Sequence, residues 1–265
     1  MQQLRITTVQ SSLHWENIDA NLERFSEKLA GLQNQTDLVV LPEMFTTGFS
    51  MNAQQLAETM DGKTMQWMAS KAAETGAVIT GSFIAREKGA FYNRLIWMRP
   101  DGTFDTYDKR HLFRLAKEDD FYKAGKKRLV TTWKGWKICP LICYDLRFPV
   151  WSRNTEAYDL LIYVANFPER RSKAWKNLLL ARAIENQAFT VGVNRVGTDG
   201  KDIFYSGDTS VIDYAGHILY RASQVEAVFS TKISLSDLKT FRKRLAFLAD
   251  SDDFELHFDV EALVR

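Results

Sequence analysis

Four uninterrupted apolar residues, Leu38-Val39-Val40-Leu41, stop at Pro42, and a carboxylate follows at once in Glu43. A strand with one wet face alternates apolar and polar residues, so a strand that is apolar at every position is expected to be covered on both faces. The rest of the chain repeats this demand. Leu4 to Val9, Ala77 to Ile84, Trp136 to Ile142, Leu160 to Val164 and Thr190 to Asn194 read as strands. Between them run helical patterns: from Asn17 the apolar residues Ile18, Leu22, Phe25, Leu29 and Leu32 share one face, and Thr64 to Glu74 and Ser172 to Ala188 read as further helices.

Phe91 to Arg99 and Thr103 to Asp108 read as strands joined by the turn Pro100-Asp101-Gly102. Ser210 to Asp213, Ile218 to Tyr220 and Val225 to Ser230 read as short strands, with Gly216 in a turn and a helix from about Ser234. The tail from Asp250 is acidic and then mixed, and is expected to pack against a partner subunit. This alternation predicts helices layered on sheet, with the ligand crevice beyond the carboxyl ends of the strands. No linker divides the 265 residues, which are read as one domain.

Composition narrows the partners. The 35 basic and 33 acidic residues nearly cancel, which argues against nucleic acid or an anionic membrane and for a small molecule. The N-terminal residues lack the pattern of a secretion signal, and no run reaches the roughly 18 apolar residues of a membrane span. A cytoplasmic location is expected. The two cysteines, Cys139 and Cys143, form neither a redox CxxC pair nor, without nearby histidines, a zinc cluster.

Cys143 stands where the apolar strand breaks into Tyr-Asp-Leu-Arg-Phe-Pro. A thiol on such a corner would have free backbone N–H groups beside it for an oxyanion, and the field of a helix N-terminus would favour its thiolate. On composition alone a buried structural cysteine is the commoner case, and Cys139, inside the strand, is read that way. A nucleophilic cysteine needs a base. None of the four histidines suggests a Cys-His-Asn set, and no GxSxG elbow is present. Glu43 could take and return a proton if an apolar pocket raised its pKa, or could simply start a helix. Lys109, after the strand ending at Asp108, could face a developing oxyanion or be a solvated charge.

Three segments in order, Leu-Pro-Glu43-Met-Phe, Tyr-Asp-Lys109-Arg-His-Leu-Phe and Cys143-Tyr-Asp-Leu-Arg-Phe-Pro, resemble the Glu, Lys and Cys motifs of the nitrilase superfamily of carbon-nitrogen hydrolases. The similarity runs from Val9-Gln10 through Ala165-Asn166-Phe167-Pro168 to the helix carrying Arg182, Ala183, Glu185 and Asn186. The resemblance implies a four-layer α-β-β-α sandwich and a homodimer formed through helical faces. It also implies that Glu43 is general base and acid, that Lys109 and the backbone N–H of Tyr144 hold the oxyanion, and that Cys143 is the covalent nucleophile. Glu118, seven residues before Gly125 and followed by Asp119 and Asp120, fits the family's auxiliary glutamate. No metal or organic cofactor is implied.

Cys-Tyr-Asp in place of the Cys-Trp-Glu of true nitrilases is similar to the ω-amidase branch, which acts on 2-oxoglutaramate and similar ω-amides. Amidases for deaminated glutathione or N-carbamoyl amino acids are the alternative, and a catalytically silent binding module of the same fold is a third reading. A dicarboxylate monoamide needs a cation for its distal carboxylate. Arg147 is the candidate, against the possibility that it pairs with Asp145 or another acid to brace the turn. Phe167 is a candidate pocket wall or plain core.

Overall fold

The computed structural model describes residues 2–256. Thirteen strands form two sheets among them. The first contains β1 (Gln3–Gln10), β2 (Leu38–Val40), β3 (Val78–Glu87), β4 (Ala90–Met98) and β5 (Phe104–Asp108). The second contains β6 (Thr131–Trp133), β7 (Trp136–Ile142), β8 (Leu160–Ala165), β9 (Phe189–Asn194), β10 (Val196–Thr198), β11 (Phe204–Ile212) and β12 (Ile218–Ser223). The last strand, β13 (Ala227–Ser234), returns to pair antiparallel with β1, giving the order β13-β1-β2-β3-β4-β5. In the second sheet the order is β10-β11-β9-β8-β7-β6, with β12 on β11. Both sheets are mixed: β1, β2 and β3 run parallel, as do β7, β8 and β9, while outer pairs are antiparallel.

The longer helices are α1 (Ile18–Leu29), α2 (Lys63–Thr75), α3 (Ser172–Asn186) and α4 (Leu235–Arg244). Burial explains the layering. Leu38 and Val40 of β2 face the second sheet with Leu4, Ile6, Ile138 and Leu141, while Val39 and the following Leu41 face α1 and α2 through Phe25, Met65 and Met68. One short strand thus supplies both faces of its sheet, as its unbroken apolar pattern demands. On the other side α3 covers β9 and β11 with Trp175 and Leu179. Helix, sheet, sheet and helix make the four layers that were expected.

The differences in detail have local causes. α1 ends at Leu29 rather than Leu32, because Gly31 turns with φ 82°, though Leu32 still packs on the same apolar cluster. α3 stops at Asn186, where Gln187 adopts left-handed backbone, and β9 begins at once at Phe189. The expected strand at Ser210 to Asp213 is the second half of the longer β11. Its first half hides behind Ser206-Gly207-Asp208, where Gly207 and Asp208 have φ 75° and 61° and the pairing with β12 shifts register. β6 and β10 were not anticipated; each has only three residues. The C-terminal tail is described to Leu256, and the rest of the expectation for it lies outside the described residues.

Gly192 of β9 shows how closely α3 is seated: a Cβ there would lie 2.4 Å from Leu179 Cδ1 and 2.7 Å from Trp175 Cζ2. Gly192→Ala is expected to cost about 1–3 kcal/mol by overpacking, read as a lower denaturation midpoint in urea. An unchanged midpoint would mean that the helix is not held against this strand as described.

Candidate active site

Three strand ends converge. Glu43 follows β2 after Pro42, Lys109 follows β5, and Cys143 follows β7. Apolar β2 and β7 run into the core, so Glu43 and Cys143 arrive at the carboxyl edge, and the half-exposed β5 delivers Lys109 there by pairing with β4. Sequence reasoning placed all three there, and the structure brings them together.

Lys109 is the hub. Its ammonium, 1% exposed, donates to Glu43 Oε1 at 2.8 Å and to Glu118 Oε1 and Oε2 at 3.0 and 2.9 Å. Both carboxylates are fully buried. The solvated-charge reading of Lys109 and the helix-start reading of Glu43 therefore fail. Glu118 is the auxiliary partner rather than Asp119 or Asp120, which are exposed. Its Oε2 also accepts the Phe113 backbone N–H at 2.6 Å. The glycine seven residues on has a direct role too, since Gly125 N–H donates to the Lys109 carbonyl at 2.9 Å.

Two carboxylates and one ammonium leave this buried cluster one negative charge in excess when all are ionised. Burial first, and then the neighbouring Glu43 charge, push the Glu118 pKa up, with Lys109 opposing. The Lys109 pKa rises despite burial, because both acids favour its charged form. Two asparagines that sequence reasoning did not single out complete the frame. Asn93 Nδ2 donates to Glu43 Oε1 at 2.8 Å and to Glu118 Oε1 at 3.2 Å. The Asn166 backbone N–H donates to Glu43 Oε2 at 2.8 Å, and its side chain to the Glu43 carbonyl at 2.6 Å. Asn166 stands in the quoted Ala-Asn-Phe-Pro segment; Asn93, in mid-strand, carried no signal.

Cys143 opens a short 3₁₀ turn, Cys143–Arg147, with φ 43°. Left-handed backbone at a non-glycine residue is strained and needs outside support. Asp145 supplies it. Its Oδ2 accepts the Ile142 N–H at 3.1 Å and the Tyr107 hydroxyl at 2.7 Å, and its Oδ1 accepts from His111 N and Nδ1 at 3.0 and 2.8 Å. From the far side, Arg182 of α3 donates to the Leu146 carbonyl at 2.6 Å. The bracing acid thus works through Tyr107 and His111, not through Arg147 as one reading had it. As a residue of the first turn, Tyr144 has a backbone N–H with no intrahelical acceptor.

The expected thiolate is not what this corner favours. Burial, and then the Glu43 carboxylate, push the Cys143 thiol well above its ordinary pKa, with Lys109 pulling the other way. The helix-end field of one short turn does not outweigh these. Both effects favour the neutral thiol, set beside a carboxylate that can take its proton. Cys139, inside β7, is likewise pushed up to about 12 by burial and touches none of this chemistry.

A cavity of about 260 Å³ opens over Cys143 and Lys109. Tyr144, Arg147, Phe113, Phe167, Arg171 and Tyr205 line it. Phe167 serves both expectations at once: it faces the cavity, and its ring packs 5.3 Å from that of Trp175 in the core. Among the described residues no cluster of His, Cys, Asp and Glu has the makings of a metal site.

These charges make a signed prediction for Cys143. Glu43→Gln removes the carboxylate that opposes ionisation and keeps the Lys109 ammonium, so the thiol pKa falls and the alkylation profile moves to lower pH. Iodoacetamide labelling followed by mass spectrometry over about pH 6 to 10 should show roughly tenfold faster modification near pH 8. No shift, or a shift to higher pH, would refute the stated electrostatics.

Comparison with known proteins places this geometry. A family model described as carbon-nitrogen hydrolase matches residues 5–243. The chain is 45% identical over 257 residues to omega-amidase YafV of Escherichia coli strain K12, covering 97% of this chain and all of that protein. It is 31% identical to the 2-oxoglutaramate amidase of Bacillus subtilis, over 92% of this chain and 96% of that one. The crystal structure of XC1258 from Xanthomonas campestris, a CN-hydrolase superfamily protein with an arsenic adduct in the active site, superposes with a TM-score of 0.95. Its identity is 46%, over 97% of this chain and all of that chain. The chain belongs to the carbon-nitrogen hydrolase family.

Proposed function

We propose that this protein is an ω-amidase that hydrolyses 2-oxoglutaramate, or a similar dicarboxylate ω-monoamide, to the acid and ammonia. The observation that carries the reading is the buried Glu43–Lys109–Glu118 cluster set beside Cys143, under a cavity whose lining includes arginines. Near-full-length likeness to an omega-amidase and to a 2-oxoglutaramate amidase supports the substrate class.

Glu43 takes the thiol proton as Cys143 Sγ attacks the amide carbon. The carbonyl electrons move onto oxygen, where the Lys109 ammonium and the Tyr144 N–H receive them. Collapse of the tetrahedral adduct breaks the carbon–nitrogen bond; Glu43 returns its proton to the departing nitrogen, and ammonia leaves. A thioester remains on Cys143. Glu43 then deprotonates a water that attacks this thioester, and gives the proton to the departing sulfur as the acid is released. Glu118 holds Lys109 in place throughout. A neutral resting thiol suits this sequence, because the proton Glu43 later needs for ammonia comes from the thiol itself. Arg147 is proposed to meet the distal carboxylate, with Phe167 as a wall of the cavity. No step requires a metal or organic cofactor.

The same reading carries a single domain, a cytoplasmic location and a homodimer. Val150, 51% exposed, lines a groove with Glu185, Phe254 and Leu256, and this exposed apolar surface supports association there. No described helix is long and apolar enough to cross a membrane. Light scattering should give twice the chain mass; the mass of one chain would remove the dimer from the account.

Ammonia release measured on 2-oxoglutaramate, glutamine, deaminated glutathione, an N-carbamoyl amino acid and an aliphatic nitrile should favour the first. Cys143→Ala should release none, and Glu43→Gln should lose at least about 10³-fold in kcat while its thiol becomes easier to alkylate. Preference for another amide would keep the chemistry and discard the substrate. No turnover of any compound would return the silent-module reading.

A further inference from the structure

The cavity over Cys143 holds a cation that the reaction above does not use. Arg171 ends the short turn Glu169–Arg171 and stands at the N-cap of α3. Its guanidinium lies 4.7 Å from the centre of the Phe113 ring and 5.9 Å from that of Phe167, and it is half-buried. Arg147 reaches the same Phe167 ring from the nucleophile turn, at 5.7 Å, but is exposed. Among the described residues neither guanidinium has an acidic partner. Asp199, the acid lining the cavity, is already engaged by the Tyr205 hydroxyl at 2.9 Å and by the Lys201 and Ile203 N–H groups at 2.8 and 3.0 Å.

This arrangement is costly without a ligand. Burial, and then the neighbouring Arg170 charge, with Arg147 adding to it, press the Arg171 pKa down. A guanidinium stays charged all the same. Two like charges gathered at one aromatic ring, with no counter-ion, call for an anion that bridges them.

We propose that Arg171 is the principal specificity residue of this enzyme, binding the carboxylate remote from the scissile amide with Arg147 as the second arm. This rests on the ω-amidase reading and adds to it the residue that selects the substrate. Arg171 outranks Arg147 because it is less exposed, hence less screened, and because its guanidinium lies near two aromatic rings, Phe113 and Phe167, rather than one. It also sits on the segment that orients the base. The Asn166 N–H holds Glu43 Oε2, Phe167 exchanges hydrogen bonds with the Asn194 side chain at 2.8 and 2.9 Å, and the Arg171 N–H returns to the Pro168 carbonyl at 2.9 Å. One braced segment therefore sets the distance from the proton-transferring carboxylate to the distal cation. That distance selects the carbon-chain length of the ω-amide.

The test compares kcat/KM for 2-oxoglutaramate with that for pentanamide, a neutral amide of the same chain length. Wild type, Arg171→Met, Arg171→Lys and Arg147→Met are measured, with thermal midpoints as a fold control. Arg171→Met should lower the ratio of anionic to neutral kcat/KM by at least about 100-fold. Arg171→Lys should recover part of that loss, and Arg147→Met should lower the ratio by only about tenfold. An equal fall on both substrates would make Arg171 a structural residue and overturn the assignment. A wild-type preference for 2-oxoglutaramate that survives in Arg171→Met would overturn this assignment alone. A wild type with no preference for the anionic amide would overturn it together with the ω-amidase reading.

Discussion

The buried contact between Lys109 and two carboxylates is the constraint on which the site depends. It joins the end of β2 to the end of β5, 66 residues further on, and to the nearby short helix Glu118–Phe121. Breaking a buried pair by removing one partner costs about 3–5 kcal/mol, because the other charge is stranded. Here Lys109 answers two charges, and Asn93 bridges both acids from behind. The cluster can thus be rigid and still keep Glu43 available to move a proton. Its Glu43 charge adds to the burial that raises the pKa of the adjacent thiol.

The nucleophile needs a second device. Its left-handed backbone would relax in isolation, and Asp145 prevents this by tying the turn to Tyr107 and His111 on the lysine loop. The Trp151 indole N–H donates to the same Tyr107 hydroxyl at 2.9 Å, and the His111 ring stacks on Phe148 at 3.7 Å. The cysteine turn and the segment carrying Lys109 are therefore one braced unit. Strain at Cys143 is held by contacts that take no part in bond making.

Much of this was legible in the chain. Apolar runs at Leu38–Leu41, Ile138–Ile142 and Leu160–Val164 dictate strands buried on both faces, and so a layered fold with Glu43 and Cys143 at strand ends. What stayed hidden depends on tertiary approach. Asn93 lies on a strand whose local pattern says nothing of the acids it bridges. Arg171 lies in a run of charge, Glu-Arg-Arg, whose local pattern says nothing of the Phe113 and Phe167 rings that its guanidinium approaches. The thiol was misjudged for a related reason: a helix-end field can be read locally, whereas burial and a carboxylate from another strand cannot.

The central claim is that the amide carbon passes through a bond to Cys143. Acid-quenched enzyme sampled during turnover of 2-oxoglutaramate, digested and analysed by mass spectrometry, tests it most directly. The account predicts that the peptide containing Cys143 gains the mass of the substrate less ammonia, and loses it as substrate runs out. Steady ammonia release with Cys143 unmodified at every quench time, or with the acyl group on another residue, would contradict it.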